Sequence, residues 1–350
     1  MESRKVLAAM LSAVIAVCAS YADEGAVTGE QKQAVNAGLK DFSRALLTAV
    51  PQATSQDNVW ADAYIGPLFP TNALPHFGGG VSMGLTQLDM RGFKDAAGAL
   101  AGIAQDLEQG FNIPETFYLP SVSVDIRTGG ILLPMDIGFS AMMTNPSIAR
   151  IDISNPASVT GASSGVDFSL KNFKGVVNYM VIGLDARFRL IKETGILPAV
   201  SLGAGWFYTK GSFSVDSGTK DTGASASINL SYESNLVFAQ VQVSKNILFL
   251  TLFGGARGML SSTSTAWNWS CSANGEILGQ DDGHESLDTL STNFIKTIQP
   301  QIFLGTGFNI LCFQGTVSVC TDLRSAVTAI AQKDANSLTW SGAVSLRAKL

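Results

Sequence analysis

The chain is poor in charge, in histidine and in cysteine, and beyond its first two dozen residues it has no long apolar run. Only 15% of its 350 residues are Asp, Glu, Lys or Arg, whereas 46% are hydrophobic; soluble domains usually carry about 25% charge. The formal net charge is −5 and no basic run occurs, which argues against a nucleic-acid partner. No segment after Val17 approaches the roughly 18 uninterrupted apolar residues of a membrane-crossing helix. The four cysteines are Cys18, Cys271, Cys312 and Cys320. Three would remain after removal of a leader, an odd number that excludes a fully paired framework, and their spacing suits no metal site. With two histidines, His76 and His284, far apart in sequence, neither a metal nor a cofactor nor catalysis is expected. A chain that is apolar overall without long apolar runs has the composition of a membrane β-barrel.

Residues 1–22 have the pattern of a secretory signal. Arg4 and Lys5 precede an apolar stretch from Val6 to Val17, and Ser20-Tyr21-Ala22 forms a cleavage site before Asp23. Sec-type export with cleavage near Ala22 is expected. An uncleaved anchor is disfavoured by the short apolar stretch, and acylation at Cys18 by the bulky Val17 before it. Residues 23–75 form a helical and irregular N-terminal segment. Thr28 and Gln31 have capping-box spacing, Val35, Leu39, Phe42 and Leu46 recur at helical intervals, and Pro51 is expected to stop the helix. Prolines 51, 67, 70 and 75 mark an irregular approach. This segment is periplasmic or plugs a lumen; the sequence leaves both open.

Residues 76–350 carry what is present in abundance, alternation. Val237, Ala239, Val241 and Val243 oppose Phe238, Gln240 and Gln242, and Leu248, Leu250 and Leu252 oppose Phe249, Thr251 and Phe253. The pattern predicts ten strands at 77–89, 116–128, 132–143, 176–190, 195–209, 227–244, 247–260, 294–312, 316–326 and 337–350. Short turns fall at 128–131, 191–194, Lys245-Asn246 and 313–315. Longer connections fall at 90–115, 144–175, 210–226, 261–293 and 327–336, and the first carries a helical insertion at about 92–110 with Phe93, Leu100, Ile103 and Leu107 on one face. The fold class expected is therefore all-β: a transmembrane antiparallel up-and-down β-barrel of about ten strands with an N-terminal helix, short turns and both termini in the periplasm. A secreted β-sandwich is the alternative, but its strands are shorter and its exposed faces richer in charge. By parity Tyr118, Trp206, Tyr208 and Trp340 share the lipid-facing register near the outer strand ends, as an aromatic girdle would.

The last strand alternates Trp340, Val344, Leu346, Ala348 and Leu350 with Ser341, Ser345, Arg347 and Lys349. It resembles the assembly signal of bacterial outer-membrane proteins, from which Leu350 departs where phenylalanine is commoner. Residues 77–350 resemble the outer-membrane β-barrels of diderm bacteria, with a spirochaetal, treponeme-like texture. The resemblance implies an outer-membrane location, lipid and the assembly machinery as partners, and passive uptake, adhesion or surface enzymology as functions. It assigns no transporter family: Asn155-Pro156-Ala157, a motif of the fatty-acid transporters, lies far downstream of its place in that group.

Asp125, Arg127, Asp136, Asp185, Arg187, Arg189, Arg347 and Lys349 share inward parity toward the periplasmic strand ends. They form either an electropositive constriction or an ion-pair network sealing a narrow lumen. Gly138, Gly183, Gly203, Gly205, Gly255, Gly305 and Gly307 also face inward, opening room for a ligand, a channel or a packed helix. Trp267 and Trp269, placed in an outer loop, offer a surface contact or a lid. Asp282-Gly283-His284 is similar to half of the omptin protease site, but the Asp-x-Asp half is missing. The function expected is passive passage or binding of small solutes, without covalent chemistry. A surface adhesin acting through outer loops is the alternative, and an omptin-like protease a remote one.

Overall fold

The computed structural model describes residues 28–56, 58–65, 76–95, 115–129, 134–143, 149–152, 166–170, 173–218, 225–273, 276–288, 298–332 and 338–349. The expected leader, the Asn155-Pro156-Ala157 motif and most of the 92–110 insertion lie outside them; of the insertion, one helical turn at 91–95 is described. Helix α1 spans Gly29–Gln56 and α2 spans Leu323–Gln332. The strands are β1 (His76–Asp89), β2 (Thr116–Gly129), β3 (Met135–Met143), β4 (Ala149–Asp152), β5 (Val166–Leu170), β6 (Phe173–Ile191), β7 (Ala199–Gly218), β8 (Ser225–Ile247), β9 (Leu250–Ala273), β10 (Glu276–Asp288), β11 (Gln299–Ile310), β12 (Phe313–Asp322) and β13 (Trp340–Lys349).

Among the described residues, ten strands close a circle in the order β1-β2-β3-β6-β7-β8-β9-β11-β12-β13, with β13 returning to β1 and β3 to β6, every pair antiparallel. Closure leaves no sheet edge around the ring, the condition for a strand structure to survive in lipid. The barrel and its ten strands match the sequence expectation. Alternation sets the two faces: Val81, Met83, Leu85, Ile126, Leu184, Val241, Leu304, Val317, Val344 and Leu346 are exposed on the outer wall, while Ser123, Asp125, Arg127, Gln242 and Ser318 are buried inside.

The connections differ from expectation in ways that share a cause. Ile247 pairs with Leu250 and Ile310 with Phe313, so the tight turns are Leu248-Phe249 and Leu311-Cys312. Apolar residues occupy these turns, including Leu248 and Leu311 at φ 56° and 54°, positions where Gly or Asn is the usual turn signal. Polar Lys245-Asn246, which resembles a turn, is instead in strand, with Asn246 bonded to Glu193. At the opposite end the strands overrun their expected limits. Residues 261–273 and 276–288 are strand and not loop: β9 continues to Ala273 and β10 returns along it, pairing Asp288 with Ser262. Together with the upper parts of β6, β7 and β8 they raise one side of the wall into a ribbon beyond β11 and β12. On the other side β12 ends at Asp322 and α2 follows, where a strand was expected to 326.

Helix α1 begins as anticipated. The Thr28 N–H donates to Gln31 Oε1 at 2.8 Å and the Gln31 N–H to Thr28 Oγ1 at 3.4 Å. It does not stop at Pro51 but runs on to Gln56, and residues from Ala49 to Gln56 are buried on every side. Proline removes one helical hydrogen bond, yet the helix continues through it inside the enclosing wall. The helix enters at the ribbon end and descends through the lumen, so the Thr28 end sits at the ribbon and not with the C-terminal strand end among the tight turns. The expectation of both termini on one side is thereby corrected for the described chain.

Candidate functional site

From Arg44 to Gln56 the only charge is Arg44 itself; residues 45–56 are small, apolar or neutral polar. Such side chains suit a helix enclosed by a polar wall, where the buried neutral polar ones must find hydrogen-bond partners. Thr54 Oγ1 lies 2.9 Å from Thr209 Oγ1, Gln56 Nε2 donates to Ser318 Oγ at 2.8 Å, and Gln52 Nε2 donates to Ser341 Oγ at 3.3 Å.

Below Gln56 the chain leaves helical geometry, and its irregular backbone must find partners in the wall. Arg257 Nη1 donates to the Ser55 carbonyl at 2.6 Å and Arg347 Nη1 to the Val59 carbonyl at 2.7 Å. Gln242 Nε2 donates to the Trp60 carbonyl at 2.6 Å and Arg187 Nη1 to the Asp62 carbonyl at 2.7 Å. In the other direction, the Ala63 N–H donates to Ser244 Oγ at 2.9 Å and the Ile65 N–H to Asp136 Oδ2 at 3.1 Å. Four wall side chains thus hold the carbonyls of Ser55, Val59, Trp60 and Asp62, and two more accept the N–H groups that follow. Hydrogen bonds from charged donors contribute about 1.5–3 kcal/mol each.

The lumen charges close on one another and on this segment. Arg127 pairs with Asp136 at 2.6 Å and Asp185 at 2.7 Å, Arg187 with Asp136 at 2.9 Å, and Arg347 with Asp125 at 2.9 Å. Asn58 Nδ2 donates to Asp185 at 2.9 Å, and Lys349 Nζ to Asp62 at 2.5 Å. At the centre stands Trp60, 1% exposed, with the guanidinium carbons of Arg347, Arg127 and Arg187 at 4.6, 5.3 and 5.9 Å from its ring. Gly78 makes this possible: a Cβ there would lie 2.9 Å from the Trp60 ring. Gly307 faces Ala61 in the same way: a Cβ there would lie 2.7 Å from the Ala61 Cβ. The side chains of Arg127, Asp136, Arg187 and Arg347 are at most 2% exposed.

The structure therefore brings together Asp125, Arg127, Asp136, Asp185, Arg187, Arg347 and Lys349, as parity anticipated, but around a plug and not around an open constriction. Arg189 stands apart, its guanidinium 4.8 Å from the Tyr64 ring. The inner glycines accommodate rings and plug: Gly205 faces Phe238 and Gly138 faces the Arg127–Asp185 pair. Trp267 and Trp269 are not surface residues. Each is 4% exposed, and their indole N–H groups donate to Asn36 Oδ1 on α1 at 3.5 and 3.1 Å. Parity along β9 points them inward, a signal lost when 261–293 is taken as a loop. Asn36 also donates to Asp281, and Lys40 pairs with Glu285 at 2.9 Å, so α1 is docked to the ribbon. Hydrogen bonding to Lys40 holds the Glu285 carboxyl below its ordinary value. Tyr118, Trp206, Tyr208 and Trp340 all lie on the outer wall, Tyr118 and Trp340 with ring centroids 5.7 Å apart. Sequence reasoning passed over Trp60 and Arg257, and read Gln242 only as part of a strand face. Arg257 had the inward parity of Phe253 and was legible; Trp60 lay in a segment with no periodicity to place it. Cys312 and Cys320 are free thiols.

Fold and site define a class: a transmembrane-type, ten-stranded antiparallel β-barrel closed from within by its own N-terminal segment. No family model matches the chain, and no curated protein does. Solved structures similar to it include the outer membrane protease OmpT from Escherichia coli, at 11% identity and a TM-score of 0.41, covering 79% of this chain and 97% of that one. The translocator domain of the autotransporter NalP from Neisseria meningitidis covers 80% and 90%, at 9% identity and a TM-score of 0.34. A major outer membrane protein from Thermus thermophilus covers 79% and 100%, at 10% identity and a TM-score of 0.32. What these proteins share with the chain at such identities is a barrel.

Proposed function

We propose that the protein is an outer-membrane barrel for passive passage of small solutes and that the described conformation is its closed state, with residues 58–65 as the gate. The observation carrying this reading is the grip of Arg187, Gln242, Arg257 and Arg347 on the plug carbonyls. Such contacts are polar and exchangeable with water, so withdrawal of the segment leaves a lumen that water can solvate. An apolar plug would leave a bare apolar cavity. Once emptied, the wall presents Arg127, Arg187, Arg257, Arg347 and Lys349 against Asp125, Asp136 and Asp185, an excess of positive charge that favours anions. No covalent step is involved. Among the described residues, the surface-adhesin reading loses its two tryptophans to the helix, while Asp282 and His284 of β10 remain exposed.

Planar-bilayer recording tests the proposal. Deleting residues 28–65 from heat-modifiable, refolded protein is expected to convert rare openings into a steady, anion-preferring conductance. Neutralising Arg187 and Arg347 in that background lowers the preference. A folded deletion variant that conducts nothing contradicts the reading.

A further inference from the structure

We propose that α2 and the wall beneath it form a binding site for one acyl chain of a membrane lipid in the leaflet at the ribbon side. Helix α2 lies outside the barrel, against β11 and β12. Its start is fixed: Asp322 Oδ1 accepts from the Ser325 N–H at 2.8 Å, an N-cap. Ser325 Oγ in turn accepts from the Thr339 N–H at 2.9 Å, tying the returning chain to the same point. The helix is thus pinned at the upper edge of the apolar belt.

Between helix and wall runs a groove of about 640 Å³, lined among others by Ile302, Leu304, Val319, Ala326, Ala329 and Trp340. Ala326 and Ala329 are three apart and share a helix face. Larger residues there would fill the groove; alanines keep it open. Ile302, Leu304 and Val319 belong to the outward register of the barrel, at 43%, 58% and 44% exposure, so the groove continues the belt that lipid covers. Val327 and Ile330 are 67% and 78% exposed on the helix itself. An acyl chain covers these apolar surfaces, and an amphipathic helix at the headgroup boundary buries its apolar face among such chains. The tryptophan at the rim suits the same boundary. The site is independent of the gate.

Native mass spectrometry of the full-length protein, refolded into dioleoylphosphatidylcholine vesicles and extracted in mild detergent, tests this. One phosphatidylcholine is expected to remain per chain. Ala326→Phe with Ala329→Phe should lower the lipid-bound fraction by about tenfold or more with heat-modifiable migration unchanged. Leu304→Trp narrows the groove from the wall and should act alike if the helix variant fails to fold. In a Trp206→Phe background, phosphatidylcholine brominated on its acyl chains should quench Trp340, and filling the groove should relieve the quenching. Wild-type protein that retains no lipid, retention indifferent to filling, or a dimer that dissolves on filling overturns the proposal; the last would give the groove to a second copy.

Discussion

Asp136 shows how much single residues carry in this barrel. Its carboxylate receives Arg127, Arg187 and the Ile65 N–H together, and its side chain has no solvent exposure. Removing one partner from a buried ionic group costs about 3–5 kcal/mol, because the remaining charges stay desolvated without compensation. Asp136→Asn is therefore expected to lower unfolding stability by that order and to free the lower plug. Urea titration of refolded protein with hydrogen exchange at 58–65 measures both. Leu248 and Leu311 work in the opposite direction. Each holds a positive φ that costs a non-glycine residue roughly 1–2 kcal/mol, so Leu248→Gly should stabilise the β8–β9 hairpin by about 1 kcal/mol in the same titration. These turns were placed wrongly from sequence for the same reason: the residues at the bend are apolar, and the polar pair nearby is in strand.

Among the elements, α1 divides into two halves with different holds. Its first half docks on the ribbon through Asn36, Lys40 and Arg44; its second half is enclosed by the wall. The ribbon contacts are partly exposed, and Lys40 and Arg44 both depend on an ionised Glu285. The folded-state pKa of Glu285 is depressed from 4.5, so this docking is fully present above that value and is lost as pH falls through the lowered one. Hydrogen exchange in 36–47 is expected to rise on acidification below about 4.5, while 49–56 stays protected. Equal loosening of both halves contradicts the division. The strands were legible because lipid imposes a strict period of two on their outer faces. The plug was not, since an irregular segment satisfied by distant side chains carries no period. Its one trace is the lack of charge over 45–56, which suits a helix threaded through polar walls but suits other buried helices too.

At the level of the whole molecule, the barrel fixes the ends of the described chain on opposite sides. Thr28 lies at the ribbon end and Lys349 among the tight turns. With the ribbon outward, a cysteine at Glu30 should react with a membrane-impermeant maleimide on intact cells, and a cysteine at Lys192 should react only after lysis. The inward charges were legible as a group, but whether they line a path or seal one depended on the position of the N-terminal segment, which strand parity does not contain. Trp60 decides it by filling the space among Arg127, Arg187 and Arg347. Gating requires that segment to move while the barrel stays closed on itself. Ala61 and Gly307 face each other closely enough for a disulfide after Ala61→Cys and Gly307→Cys, given a small outward shift to the usual Cβ separation. Single-channel recording of this pair, with the native cysteines replaced by serine, is the most direct measurement. Openings seen under reducing conditions should vanish on oxidation and return with reductant; openings that persist unchanged in the cross-linked protein would contradict the account.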